Sequence, residues 1–198
     1  MDRKVVTAIV SALALGAGVN ACSSSMAEPT SGAGQSAAPS AAMTTGTAPV
    51  AHTELFDKDG KSKGRAVARP MGDGVHVTGD LENVTPGTYA IHVHTTGTCT
   101  APDFTSAGPH WNPEGKQHGK ENPSGPHKGD LPNVTVGADG KAKVSSHIMG
   151  VTMTGGTAAL LDADGAALVL HAGVDDYKSD PTGNAGGRAA CGVFKAGL

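Results

Sequence analysis

The sequence predicts an all-β domain, built as an antiparallel β-sandwich or barrel. Short runs that alternate apolar and polar residues recur along it, and Asp-Gly pairs stand inside several of them. Glycine is abundant, with 29 residues in a chain of 198, which favours a fold rich in turns over a helical one. Beyond the N-terminal segment no run keeps a helical period over three turns. Packed strands are therefore the expected architecture.

The first 50 residues precede this domain. A charged start, MDRK, and the apolar run VVTAIVSALALGAGV predict a signal peptide over residues 1–21. The letters VNAC resemble a bacterial lipobox, in which Cys22 would carry lipid; an ordinary secretory signal that ends near a cysteine is the alternative. Residues 22–50 are rich in Ser, Ala, Thr, Gly and Pro, which predicts a flexible tether. We expect an extracytoplasmic protein of the cell envelope or periplasm, lipid-anchored to a membrane surface.

Residues 51–198 form the predicted folded domain, and its strands follow in order. HTELFDKDGKSKGRAVAR predicts two strands around an Asp-Gly turn, and DGVHVTGDL and GTYAIHVH predict one strand each. LPNVTVGADGKAKVSSHI then predicts a hairpin around Asp139-Gly140. AALLDADGAALVLHA predicts a further hairpin around Asp164-Gly165.

Two connections, Thr95–Asp130 and Ala172–Ala190, are too long to be simple turns, so function is expected in them. The first contains a run of metal-ligand residue types within 21 positions: His110, His118, His127 and Asp130. Neutral imidazole nitrogen and carboxylate oxygen suit Zn²⁺, and a metal could organise so irregular a loop. The alternative is a solvated polar loop in which the histidines are incidental.

Two further histidines, His92 and His94, alternate along the predicted strand AIHVH and therefore project to the same face. One bound cation would explain the pair, and His171 at the end of another strand adds a third imidazole, which suits copper, zinc or nickel. The alternative is a set of ordinary surface or core histidines. Three isolated histidines are interpreted as surface or half-buried residues without a site: His52, His76 and His147.

The charge and the cysteines restrict the classes of partner and compartment. A formal net charge of -3 gives no support for a nucleic-acid partner, which would usually need a basic face. Two cysteines, Cys99 and Cys191, fall in the domain, and one disulfide is the economical interpretation outside the cytosol. Metal thiolates are the alternative, although no CxxC spacing supports them.

Several motifs, read in chain order, resemble the copper/zinc superoxide dismutase family. They are HVH, SAGPHWNP, HGK, PHKGDL, LVLHAGVDD and TGNAGGRAACGV, and the match extends from about Thr53 to Phe194. The resemblance implies a Greek-key, immunoglobulin-like β-sandwich. It also implies an enzyme that converts the superoxide anion to dioxygen and hydrogen peroxide with one copper and one zinc per subunit. Family members occur as monomers and as dimers, so the resemblance leaves a homodimer open.

The resemblance further implies two ligand sets, each carried over by position. Copper would be held by His92, His94, His110 and His171. Zinc would be held by His110, His118, His127 and Asp130. The shared residue, His110, would bridge the two metals and release copper to take up a proton during catalysis.

The remaining matched residues have implied supporting roles. Asp175 would join a copper histidine to a zinc histidine, and Arg188 would attract and orient the anionic substrate. Cys99 and Cys191 would form the family's disulfide. The second long loop is shorter than in the compact eukaryotic enzymes and lacks their charged stretch, for which Lys178 is expected to substitute in part. Two rival functions are a lipoprotein that buffers or delivers metal and a relative without activity.

Overall fold

The computed structural model describes residues 49–197, so the predicted signal peptide, most of the predicted tether and Cys22 lie outside the described residues. The ten strands are β1 (Val50–Asp57), β2 (Ser62–Met71), β3 (Gly74–Leu81), β4 (Gly87–Tyr89), β5 (Ile91–His94), β6 (Val134–Val136), β7 (Ala142–Met149), β8 (Ala167–His171), β9 (Arg188–Val193) and β10 (Lys195–Gly197). One 3-10 turn, Thr105–Ala107, interrupts the first long loop. Within this range no helix is long and apolar enough to cross a bilayer.

The strands form one curved antiparallel sheet and a short second one. The large sheet has the order β5-β8-β9-β1-β2-β3-β7, and β10 adds to β1. The short sheet pairs β4 with β6. Only Ala90 separates β4 from β5, and β6 contacts β7, so the short sheet connects the two ends of the large one. This non-sequential order confirms the predicted all-β Greek-key sandwich or barrel.

The hairpin predicted around Asp139-Gly140 is wrong in its pairing. The turn itself forms, and the Gly137 N–H donates to the Lys141 carbonyl at 2.9 Å. The strands on either side of it diverge, however, because β6 pairs with β4 and β7 pairs with β3. An alternating pattern specifies which face of a strand is buried, but it does not specify the neighbouring strand.

The second predicted hairpin, around Asp164-Gly165, is also wrong, because it has a strand on one side only. β8 follows the turn and pairs with β5 and β9, whereas Ala159 before it makes an isolated bridge to Thr152. The predicted strand GTYAIHVH is in fact two strands, since the chain changes sheets at Ala90.

Every residue of β5 and β8 is buried, because both faces of these strands are covered. Ile91 and Val93 of β5 belong to the main apolar cluster inside the barrel. His92 and His94 point to the opposite face, where the first long loop covers them and leaves them 0% and 1% exposed. The strand therefore has one face on the core and the other under a functional loop.

A disulfide between Cys99 and Cys191 ties this loop to β9 and confirms the predicted bridge over the thiolate alternative. A small second apolar cluster lies beside it, formed by Phe104, Ala107, Ala167, Val169 and Cys191. The start of the loop is thus fastened to the outer side of β8 and β9 by both a covalent bond and apolar packing.

Candidate metal centre

Four imidazoles from three parts of the chain meet beside β5 and β8. They belong to β5, to the end of β8 and to the first long loop: His92, His94, His171 and His110. Their candidate ligand atoms lie within 4.8 Å of one another, and Nε2 of His94 is 3.3 Å from Nε2 of His171. Clusters made only of imidazole suit copper, zinc or nickel.

The backbone of β5 holds the first long loop in position. The Val93 N–H donates to the Gly129 carbonyl at 2.9 Å, and the Val93 carbonyl accepts from the Trp111 N–H at 2.8 Å. A Cβ at Gly129 would overlap the Val93 carbonyl, so this close approach needs glycine. These bonds place the two stretches of loop that carry His110 and Asp130 against the strand.

Hydrogen bonds leave one nitrogen of each imidazole available. Nδ1 of His94 donates to the Gly108 carbonyl at 2.8 Å, so the lone pair stays on Nε2. Nδ1 of His171 likewise faces the Gly186 carbonyl, at 3.4 Å, which also leaves Nε2 with the lone pair. The two nitrogens of His92 have the opposite roles: Nε2 lies 3.0 Å from a carboxylate, and Nδ1 has no partner among the described residues.

A second group forms around Asp130. Its Oδ1 lies 2.9, 3.0 and 3.1 Å from Nδ1 of His110, His118 and His127 respectively. Its Oδ2 accepts the backbone N–H of Gly119 at 2.9 Å and of His127 at 3.0 Å, which fixes the carboxylate. Three imidazoles and one carboxylate match the four-ligand tetrahedral set that zinc prefers.

Asp175 joins the two groups. Its Oδ2 is 3.0 Å from Nε2 of His92, and its Oδ1 is 2.9 Å from Nε2 of His118. The carboxylate is held in turn by the Tyr177 N–H at 2.7 Å, and the Asp175 N–H donates to Oδ1 of Asn133 at 3.0 Å. A buried carboxylate in this position fixes the tautomer and the orientation of both rings.

The residues fit metal cations, as their buried nitrogens show. Two of these nitrogens, Nδ1 of His92 and Nε2 of His110, have no hydrogen-bond partner within the described chain. Nδ1 of His118 makes no hydrogen bond there either, although Oδ1 of Asp130 lies 3.0 Å from it. An unmatched buried polar atom costs about 1–3 kcal/mol, which a bound metal would remove. Burial lowers the pKa of His94 to about 2, of His171 to about 3 and of His110 to about 4. These rings are therefore neutral at pH 7, the form that binds metals.

His118 has the opposite shift. Burial alone would lower its pKa, but the carboxylates of Asp130 and Asp175 outweigh burial and raise it to about 9. Burial would likewise raise the pKa of both carboxyls, yet the histidine contacts hold it below the usual range. In the metal-free protein a proton on His118 thus supplies the positive charge that a cation would supply.

We expect the metal-depleted protein to be most stable near pH 6.5. Below that pH the unfolded chain protonates His94, His110 and His171, whereas the folded chain keeps them neutral down to about pH 4 or lower. Above it the raised pKa of His118 has the opposite effect, and its contribution is lost up to about pH 9. Urea unfolding between pH 4 and pH 9 measures this, and a free energy that rises steadily toward pH 4 would contradict it.

Gly183 leaves no space for a side chain beside Asp175. It has a φ of +63°, and a Cβ there would overlap Oδ1 of Asp175 and Nε2 of His118. We expect Gly183→Ala to displace the carboxylate and to lower metal affinity by about 10–100-fold, the usual cost of losing such a partner. Chelator competition measures the affinity. Gly187→Ala is the control, because nothing lies within 4 Å of a Cβ there, and equal affinities in both variants would refute the expectation.

Arg188 at the start of β9 is anchored on the first long loop. Its two terminal nitrogens donate to the Phe104 carbonyl at 2.5 Å and to the Gly108 carbonyl at 2.6 Å. The Gly108 carbonyl also accepts from His94, so one backbone oxygen positions both the arginine and a histidine of the four-imidazole group. Cys191, three residues along β9, fastens the same loop.

One cavity of about 850 Å³ opens onto this arrangement. Its lining includes His94, His110, His171 and Arg188. A small anion that enters it therefore meets the guanidinium and three histidines of the four-imidazole group together.

The sequence did not predict the roles of Gly183, of Asp180 or of the two carbonyls that hold Arg188. A backbone oxygen has no residue-type signature, and Asp180, which accepts the backbone N–H of His118 at 2.6 Å, belongs to no motif of metal ligands.

The comparisons with known proteins agree with this geometry. The family model of copper/zinc superoxide dismutase matches residues 58–194. Cu-Zn superoxide dismutase 2 of Aquifex aeolicus is 43% identical over 147 residues, which cover 73% of this chain and 86% of that protein. The Cu-Zn superoxide dismutase of Caulobacter vibrioides is 44% identical over 140 residues, with coverage of 69% and 80%.

A solved structure is similar over the same region. The crystal structure of a superoxide dismutase-like protein from Bacillus subtilis gives a TM-score of 0.69 at 39% identity, over 72% of this chain and 96% of that one. With the family model matched across most of the chain, the protein belongs to the copper/zinc superoxide dismutase family.

Proposed function

We propose that this protein dismutates superoxide with copper held by the four-imidazole group and zinc held by the group around Asp130. The proposal rests on the two ring nitrogens of His110. Its Nε2 faces the four-imidazole group and has no hydrogen-bond partner among residues 49–197, while its Nδ1 lies 2.9 Å from Asp130. One ring thereby belongs to both groups, as a bridging ligand would. When bound, copper would accept an electron from one superoxide and give it to another, so that two superoxide anions and two protons become dioxygen and hydrogen peroxide.

The side chains around the site have separable roles in this reaction. Arg188 supplies a permanent positive charge beside the imidazoles and orients the anion. Nε2 of His110 is the ring atom that can hold a proton when it is not coordinated. Zinc has no redox chemistry, so the Asp130 group keeps the loop and His110 in place. Asp175 contacts His92 and His118 and so fixes the two groups relative to each other.

The metal content is the first test of this assignment. We expect the purified protein, stripped with chelator and reloaded, to bind one copper and one zinc per chain, with His110→Ala weakening both sites. Mass spectrometry of the native protein counts the metals. A chain that binds both metals unchanged after loss of His110 would contradict the shared ligand.

Lys116, and not Lys178, is the lysine that lines the site cavity, so we expect Lys116 to steer the substrate. Lys178 pairs with Glu121 at 3.1 Å and does not line the cavity, whereas Lys116 does and makes no ion pair within residues 49–197. Steering of the anionic substrate is an established property of this family. Two carboxylates on the same lining, Asp162 and Asp180, act against the lysine.

We expect Lys116→Gln to slow superoxide consumption about twofold at low salt, because a unit charge contributes about 0.4 kcal/mol in water to the attraction of an anion at a separation of about 10 Å. The difference should vanish at high ionic strength, because salt screens exposed charges. Lys178→Gln is the matched control and should leave the rate unchanged. The opposite ranking of the two variants would show that Lys116 does not steer the substrate.

We also propose that the protein acts outside the cytosol, tethered to a membrane through Cys22. The disulfide between Cys99 and Cys191 supports the compartment, and the lipobox-like letters VNAC support the tether. Metabolic labelling with a fatty acid tests the anchor: the intact chain should incorporate label and Cys22→Ala should not. Label in neither protein would leave a soluble secreted enzyme and overturn the anchor.

A further inference from the structure

A cluster of soft ligand types lies on the outer face of β2, β3 and β7, among strands that contribute nothing to the metal centre. Met71 and Met149 are 46% and 61% exposed, although thioether side chains are usually buried. Both pair with Gly74 in the strand register, so the two methionines stand on either side of one glycine. His76 pairs with His147 in the next outward-facing row.

The Ile148 carbonyl and the ring of His147 share the space above Gly74. A Cβ on Gly74 would lie 3.0 Å from Nε2 of His147, so the ring leans into the position between the two methionines. Nε2 of His147 donates to the Met71 carbonyl at 3.1 Å, which holds the ring there. The ring of His76 meets that of His147 edge-on, with centroids 6.5 Å apart. The ring of His147 therefore lies over the glycine that the two methionines flank in the strand register. Its Nε2 is taken by the Met71 carbonyl, so Nδ1, which makes no hydrogen bond within residues 49–197, is the nitrogen open to a cation.

We infer that this Met71–His147–Met149 cluster is a surface site for one monovalent copper ion. Thioether and imidazole are the ligands that favour Cu⁺, which accepts low coordination numbers and soft donors. Neighbouring strands lie about 4.8 Å apart, so the two methionine backbones are about 10 Å apart, and their flexible side chains can lean toward the central ring. A hard divalent cation would gain little from two thioethers. The inference stands apart from the dismutase assignment, since it shares no residue with the metal centre.

Anaerobic titration of the intact, copper- and zinc-loaded protein with Cu⁺ against bicinchoninate tests the site. We expect the double variant Met71→Leu/Met149→Leu to bind one equivalent of Cu⁺ less than the unmodified protein. We expect His147→Gln to weaken that equivalent at least tenfold. Leucine keeps the apolar volume, and all three positions are on the surface, so the fold and the dismutase rate should not change. His52→Gln is the control for an exposed histidine outside the cluster, and should bind Cu⁺ like the unmodified protein.

Comparison between variants separates this site from any Cu⁺ bound near the N-terminus, because that contribution is the same in every protein. Equal Cu⁺ uptake and affinity in the unmodified protein and the double leucine variant would overturn the inference. So would a loss in His52→Gln as large as the loss in His147→Gln, since it would show nonspecific binding to exposed imidazole.

Discussion

Replacement of His94 by alanine should abolish superoxide dismutation while zinc stays bound. His94 belongs to the four-imidazole group and not to the group around Asp130, so its loss should affect only the proposed copper site. The loss of activity should exceed the roughly 10–100-fold typical of a residue that merely supports a ligand. The residual rate is measured as superoxide decay after pulse radiolysis, and copper and zinc are counted in the same sample.

The matched control is His52→Ala, which removes an exposed histidine that belongs to neither metal group. It should keep the full rate and both metals. Retention of copper together with an undiminished rate in His94→Ala would show that the four-imidazole group is not the redox site. Loss of zinc in step with copper would show that the variant had unfolded the loop, which near-ultraviolet circular dichroism would detect.

Replacement of Arg188 should slow the reaction and leave both metals in place. The guanidinium lines the cavity beside three histidines of the four-imidazole group. A positive charge at the entrance of a cavity accelerates the arrival of an anion by about 10–10³-fold. Arg188→Gln should therefore lose at least about tenfold, most of it at low ionic strength.

Arg188→Lys separates charge from geometry. Lysine keeps the positive charge but cannot donate to the Phe104 and Gly108 carbonyls in the fork that arginine uses. We expect the rate of Arg188→Lys to lie between those of Arg188→Gln and the unmodified protein. Its salt dependence should be closer to that of the unmodified protein than its rate is. A glutamine variant as fast as the unmodified protein, or one that loses copper, would contradict a role confined to the substrate.

The strands and the histidines of the centre could be predicted from the sequence because both leave local patterns. The alternation of HVH places His92 and His94 on one face, and that face is the one turned to the site. Strand partners leave no local pattern, which is why β6 and β7 were expected to pair with each other. Their partners depend on contacts with β3 and β4, far away along the chain.

The supporting residues of the site were harder to predict, for a physical reason. The Gly108 carbonyl that holds Arg188 is a backbone atom, and every residue has one. Lys178 and Lys116 are chemically equivalent in the sequence, and only the fold shows that one is paired and the other faces the cavity. Gly183 is one of 29 glycines, and its close approach to Asp175 exists only after the second long loop has folded.

The most direct test is the decay of superoxide in the presence of the same protein loaded with copper and zinc, and with zinc alone. The account predicts catalytic, second-order consumption by the copper- and zinc-loaded protein, proportional to its copper content, with the zinc-only protein no faster than buffer. A protein that holds one copper and one zinc per chain yet leaves superoxide decay at the buffer rate would contradict the account and establish metal binding without catalysis.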